Sequence, residues 1–94
     1  MRDDITEDAR ALLRAAQDLH AERHGLQTFT SGTHVPLEAA AERIGIRPGR
    51  RRYDAAIEEL EYEAAIKWDE SARHARGEKH YVITERGLEM LQEG

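Results

Sequence analysis

The chain has 94 residues, enough for one small domain spanning residues 1–94, and contains no cysteine, which excludes disulfides and thiolate-bound zinc. No run approaches the roughly 18 apolar residues of a membrane helix, and the N-terminus MRDDITEDAR lacks a signal peptide's apolar segment, so we expect a soluble cytoplasmic protein. Taken alone, the formal net charge of −5 argues against a nucleic-acid partner, whose phosphates a protein must neutralise.

The first 24 residues are predicted to form an amphipathic helix. Apolar side chains recur there at three- and four-residue spacings, as Ile5, Ala9, Leu12, Leu13, Ala16 and Leu19. Either Asp4 or Thr6 offers a cap for its start, and Gly25 stands where the helix is expected to end.

Residues 25–35 have no helical period and are rich in threonine and glycine. We expect a turn at Ser31–Gly32 and one short strand near Thr33–Val35, with Leu26 and Phe29 directed inward.

Two further helices are predicted on either side of a turn. The first begins at Pro36, ends at Gly45 and buries one stripe, formed by Leu37, Ala40, Ala41 and Ile44. The next begins at about Pro48–Gly49 and has an inner face of Tyr53, Ala56, Ile57, Leu60 and Ala64.

The charges of this third helix are separated along its length. Residues 47–52 hold four arginines and no acid, whereas residues 54–63 hold five acids and no base. This order opposes the helix dipole, which favours acids at the start and bases at the end. Local helix stability therefore does not explain the pattern.

An antiparallel hairpin is predicted next, because the period changes to two from Ala65 onward. Its strands are Ile66–Asp69 and Lys79–Ile83, and its tip is the polar stretch between them. Trp68 and Tyr81 are expected to form a cross-strand aromatic pair or to pack in the core. Thr84 then caps a last helix, ERGLEMLQE, whose Leu88 and Leu91 face the core.

The chain resembles a winged helix-turn-helix domain in three segments. These are VPLEAAAERIGI (35–46), RRRYDAAIEELEYEAAI (50–66) and YVITERGLEML (81–91), and the last is similar to the strand-to-helix junction of MarR-like and PadR-like bacterial transcription regulators. The resemblance implies an α+β fold with a three-helix core, a short strand, a β-hairpin wing and a closing C-terminal helix. It also implies a bacterial regulator of transcription that binds double-stranded DNA.

Two departures from the family pattern are visible. The stretch from Gly45 to Ile66 is about two residues longer than the usual spacing, so the turn or the recognition helix is extended. Ala64 or Ala65 stands where the family usually has the glycine that ends the recognition helix. A left-handed alanine costs about 1 kcal/mol relative to glycine, unless the helix ends in another way.

The recognition-helix start is the main candidate for DNA contact. Its arginines can pair with guanine edges or phosphates, and the helix N-terminus adds unpaired N–H groups. We expect DNA binding by Arg47, Arg50, Arg51 and Arg52. The acidic half of the helix is expected to point away from DNA or toward a partner. The alternative interpretation is a solvated surface on which Arg51 or Arg52 pairs with acids one turn away.

The hairpin tip is a second DNA-binding candidate, because wings contact the backbone or the minor groove. Its candidate residues are Arg73, His74, Arg76 and Lys79. The alternative is an ordinary polar hairpin.

Other functions have weaker support in the sequence. His20 and His24 are one helical turn apart, but no third metal ligand follows, so we expect no metal. No phosphate loop or catalytic constellation appears, so we expect neither a cofactor nor an enzyme. The rival function is a protein-interaction module whose partner binds the acidic helix faces, including Glu58, Glu59 and Glu61. A monomer and a homodimer through the terminal helices are both consistent with the sequence.

Overall fold

A computed structural model describes residues 6–69 and 81–93 of the chain. In this part the protein is a small α+β fold of four helices and a two-stranded antiparallel hairpin, a layout compatible with a winged helix. The elements in chain order are α1 (Glu7–His24), α2 (Leu37–Arg43), α3 (Arg51–Tyr62), β1 (Ile66–Trp68), β2 (Tyr81–Ile83) and α4 (Glu85–Glu93).

Helix α1 begins at Thr6, which is one of the two predicted caps. The Thr6 hydroxyl accepts a hydrogen bond from the Ala9 backbone N–H at 3.3 Å, and the helix ends before Gly25 as predicted. The predicted stripe from Ala9 to Leu19 is buried, while Ile5 lies outside the described residues. Burial of this stripe against α2 and α3 forms the centre of the core.

The segment after α1 differs from the prediction first at Leu26. A single 3₁₀ turn, Leu26–Thr28, leaves the Leu26 side chain 58% exposed, so its predicted inward orientation was wrong. Phe29 is buried and the turn at Ser31–Gly32 is present, both as predicted.

The strand predicted near Thr33–Val35 is reduced to one bridge, between His34 and Val82 of β2. Backbone hydrogen bonds on either side hold it in place, from Val35 N–H to the Tyr81 carbonyl and from Ile83 N–H to the Thr33 carbonyl, each 2.9 Å.

Helix α3 begins two to three residues later than predicted. Pro48 and Gly49 form a turn instead of a helical start, because Gly49 has φ of 85° and Arg50 is extended at φ −99° and ψ 163°. Arg50 is therefore the N-cap residue, and the arginines at 47 and 50 precede the helix.

The end of α3 depends on a left-handed alanine. Ala64 has φ of 62°, lies outside the helix and is exposed, so its predicted place on the inner face was wrong. Of the two endings considered, a left-handed alanine or a different helix end, the structure has the left-handed alanine. Ala56, Ile57 and Leu60 are buried as predicted, and Tyr53 is partly buried.

The hairpin and α4 close the fold in the predicted order. Ile66 pairs with Ile83, and Trp68 pairs with Tyr81, whose ring meets the indole edge-on with centroids 5.7 Å apart. The predicted cross-strand aromatic pair is confirmed. Leu91 is buried and Leu88 partly buried as predicted, while Met90, which was not predicted, is also buried.

The Thr-Glu-Arg-Gly junction has a specific packing role. The Thr84 hydroxyl accepts from the Gly87 N–H at 3.0 Å, as predicted for an N-cap, and also contacts the carbonyl oxygens of Ala64 and Ala65. A Cβ at position 87 collides with the Ala65 carbonyl oxygen and the Ile83 side chain. Gly87 thus lets α4 pack directly on Ala65, in the segment between α3 and β1, and on Ile83 of β2.

Among residues 6–69 and 81–93, no helix is both long and apolar enough to cross a membrane.

Candidate functional site

Three of the predicted DNA-binding arginines surround the start of α3. Arg47, Arg50 and Arg51 are all exposed, and the Arg50 N–H bonds to the Arg47 carbonyl oxygen at 3.2 Å, which closes the turn that brings them together. Within residues 6–69 and 81–93 none of the three side chains forms an ion pair. We call these three residues the arginine end.

The fourth arginine of the run has a partner in another helix. Arg52 donates two hydrogen bonds to the Asp8 carboxylate of α1, from Nε at 2.7 Å and from Nη2 at 2.9 Å. This pairing holds the pKa of Asp8 below its usual value and raises the pKa of Arg52. The alternative interpretation foresaw pairing by Arg52 but placed the acid one turn away, whereas Asp8 is 44 residues distant.

The exposed stripe of α3 contains one arginine of the arginine end, Arg51, and one acid, Glu58. Arg51, Ala55, Glu58 and Tyr62 follow one another at four-, three- and four-residue spacings, and all four are exposed, Tyr62 at 87%. Glu58 therefore shares a face with Arg51 instead of pointing away from it. A duplex that contacts this helix must approach it at its N-terminal end.

Glu59 has an internal role that the sequence did not reveal. Its carboxylate accepts hydrogen bonds from the backbone N–H and the hydroxyl of Thr6, both at 2.8 Å. In a capping box, a Glu three residues after the cap accepts the cap's N–H. Position 9 is alanine, and Glu59 of α3 takes over that bond from 53 residues away. Glu59 thus ties α3 to the start of α1.

The other acids of α3 line a cleft. It has a volume of about 530 Å³ and lies between the start of α2, one flank of α3 and β2. Its acidic groups are Glu38 of α2 and Asp54, Glu58 and Glu61 of α3, all exposed. We call it the tyrosine cleft, because Tyr53 and Tyr81 also line it.

Burial and negative charge perturb both tyrosines of the cleft. Burial, followed by the charge of Glu38, raises the pKa of Tyr53 to about 12. Burial and then the Glu61 carboxylate raise the pKa of Tyr81. Both phenols are therefore neutral at physiological pH, and the surrounding potential is negative.

The histidines of α1 pack against the following turn. His20 Nε2 lies 2.6 Å from the Thr28 hydroxyl oxygen, and the His20 ring lies 4.9 Å from the His24 ring and 5.2 Å from the Phe29 ring. Burial, together with the charge of His24, lowers the pKa of His20. In the described part of the chain, no three His, Cys, Asp or Glu residues are grouped so that they could hold a metal ion.

The wing candidates Arg73, His74, Arg76 and Lys79 lie outside the described residues. Comparison with known proteins finds no match to this chain among protein-family models, curated proteins or solved structures.

Proposed function

We propose that this chain is a winged helix-turn-helix domain that binds double-stranded DNA through the arginine end, as a small bacterial regulator of transcription. The observation that carries the proposal is the grouping of Arg47, Arg50 and Arg51 at one helix start without internal counter-ions among the described residues. A guanidinium that pairs with none of the described carboxylates is available for phosphate or for the guanine edge.

The acids of α3 restrict how DNA can bind. Asp54 and Glu58 follow the arginine end within two turns and are exposed, so they repel phosphates along the rest of the helix. The duplex therefore contacts the first turn of α3, where unpaired backbone N–H groups add positive potential. Base contacts are assigned to Arg50 and Arg51, and phosphate contact to Arg47.

The test compares variants of equal charge by fluorescence anisotropy with a labelled duplex over a salt series. We expect the wild type to bind at low salt and more weakly as salt rises, and Arg50→Ala/Arg51→Ala to bind at least about tenfold more weakly at every salt concentration. The matched control is Arg10→Ala/Arg23→Ala, which removes the same charge from α1.

The control variant should bind nearly as well as the wild type. The proposal is wrong if the wild type does not bind DNA at low salt. It is equally wrong if both double variants lose affinity to the same extent, because net charge and not the arginine end then governs binding.

A further inference from the structure

The tyrosine cleft has the size and lining of a small-molecule site. Its volume of about 530 Å³ lies within the range of ligand pockets, roughly 300–1,000 Å³. Apolar groups from separate elements form part of its wall, namely Pro36 and Ala39 at the start of α2 and Ile57 of α3. A ligand bound in the cleft would contact apolar groups as well as charged ones.

The negative charge of the cleft favours a positively charged ligand. None of its four carboxylates forms an ion pair with an arginine or lysine of residues 6–69 and 81–93, and neither of those residue types lines the cleft, although His34 is among its lining residues. Phosphates and carboxylates are repelled from such a surface, whereas cations are attracted. The cleft is therefore chemically distinct from the arginine end.

The aromatic rings distinguish an organic cation from a metal ion. Tyr81 is only 8% exposed, Tyr53 is partly buried, and the neutral side chains of both line the cleft. Ring faces attract alkylammonium and guanidinium groups strongly when water is excluded. A metal ion needs converging ligands, and no metal-holding group of acids and histidines occurs in the described residues.

We propose that the tyrosine cleft binds a low-molecular-weight organic cation, an alkylammonium or guanidinium with an apolar portion. Its charged group lies against the rings of Tyr53 and Tyr81, between the carboxylates of α2 and α3. Its apolar portion lies against Pro36 and Ile57. This site is independent of DNA binding, and its test uses no DNA.

The experiment is calorimetric titration of the whole chain with 1,5-diaminopentane and with agmatine. Each is expected to bind at one site per chain with submillimolar affinity that weakens at high salt. The uncharged counterpart, 1,5-pentanediol, is expected not to bind. The ring resonances of Tyr53 and Tyr81 should shift on titration with either cation and remain unchanged with the diol.

Variants separate the contribution of the ring from that of charge. Tyr53→Leu is expected to lower affinity about three- to thirtyfold, whereas Tyr53→Phe keeps the ring and the affinity. Glu58→Gln should lower affinity up to about fivefold. Asp18→Asn, which removes an exposed carboxylate from α1, should leave it unchanged.

Several outcomes overturn the proposal. These are no binding of either cation at millimolar concentration, equal binding of the diol, or equal loss in Asp18→Asn and Glu58→Gln. Binding of a lysine- and arginine-rich peptide without binding of either free cation also overturns it, because the cleft then serves a protein partner. Unchanged affinity in Tyr53→Leu, with its fold verified by circular dichroism, excludes the aromatic contact.

Discussion

The two flanks of α3 use charge in opposite ways. On the flank that faces α1, Arg52 forms two hydrogen bonds with Asp8, and Glu59 forms two with Thr6. On the flank that faces the tyrosine cleft, Asp54, Glu58 and Glu61 form no ion pair with any arginine or lysine of the described residues. The first flank holds two helices together, and the second presents uncompensated charge to solvent.

Helical geometry explains this division. Positions 52 and 59 are seven residues apart and lie two turns above one another, as do positions 54 and 61 on the opposite side. A net charge of −5 describes neither flank, since it combines paired and uncompensated groups. The charged groups that stabilise the fold can therefore be distinguished from those available to a ligand only when the partner of each group is known.

The largest expected contrast between the flanks is in stability. Glu59→Ala should lower the free energy of unfolding by about 1 kcal/mol, because it removes the carboxylate that accepts from the Thr6 N–H and hydroxyl at a position that water can reach. Glu58→Ala, its neighbour on the exposed stripe, should change stability by less than about 0.5 kcal/mol. Urea denaturation of both variants measures the difference. Equal effects of the two substitutions would show that the Thr6 contacts do not stabilise the protein.

The second expected effect is a loss of stability at alkaline pH, which is caused by ionisation of Tyr53 in the cleft. The folded pKa of Tyr53 is about 12 against an ordinary value of 10.0, so the unfolded chain releases its proton first. The stability from the neutral phenol is complete below pH 10 and is lost as pH rises toward 12. After allowance for the open cleft, the loss is on the order of 1 kcal/mol.

Tyr53→Phe isolates that contribution. The free energy of unfolding of this variant should fall less than that of the wild type over the same pH interval. Ionisation of Tyr81, whose pKa is also raised, contributes to the loss that remains. Parallel curves for the two proteins would contradict the assignment to Tyr53.

The sequence predicted most of the fold because the controlling signals were local. Apolar spacing predicts all four helices, the helix that follows Thr84 indicates its role as a cap, and the absent glycine made a left-handed alanine one of two possible endings for α3. Leu26 was misplaced because hydrophobicity alone does not show that a 3₁₀ turn directs its side chain outward.

The site was less predictable than the fold. The bonds from Arg52 to Asp8 and from Glu59 to Thr6 join residues 44 and 53 positions apart, and no pattern within either helix identifies such partners. The cleft was missed for the same reason, since Glu38, Tyr53 and Tyr81 come from three different elements. Thr6 offered one indirect signal, because its capping box lacks the usual glutamate at position 9.

The smallest expected effect concerns the flank of α3 that faces α1, where Arg52 pairs with Asp8. Arg52→Ala and Asp8→Asn should each lower stability slightly, the double variant should lose no more than either single variant, and the loss should disappear at high salt. Since the pairing holds the pKa of Asp8 below 3.8, the contribution of the ion pair to stability is present above that pH and is lost on acidification.

Arg51→Ala, one residue away from Arg52, should leave stability unchanged while weakening DNA binding. If Arg52→Ala instead weakens DNA binding as strongly as Arg51→Ala, the ion pair opens on binding and the two flanks are not functionally separate.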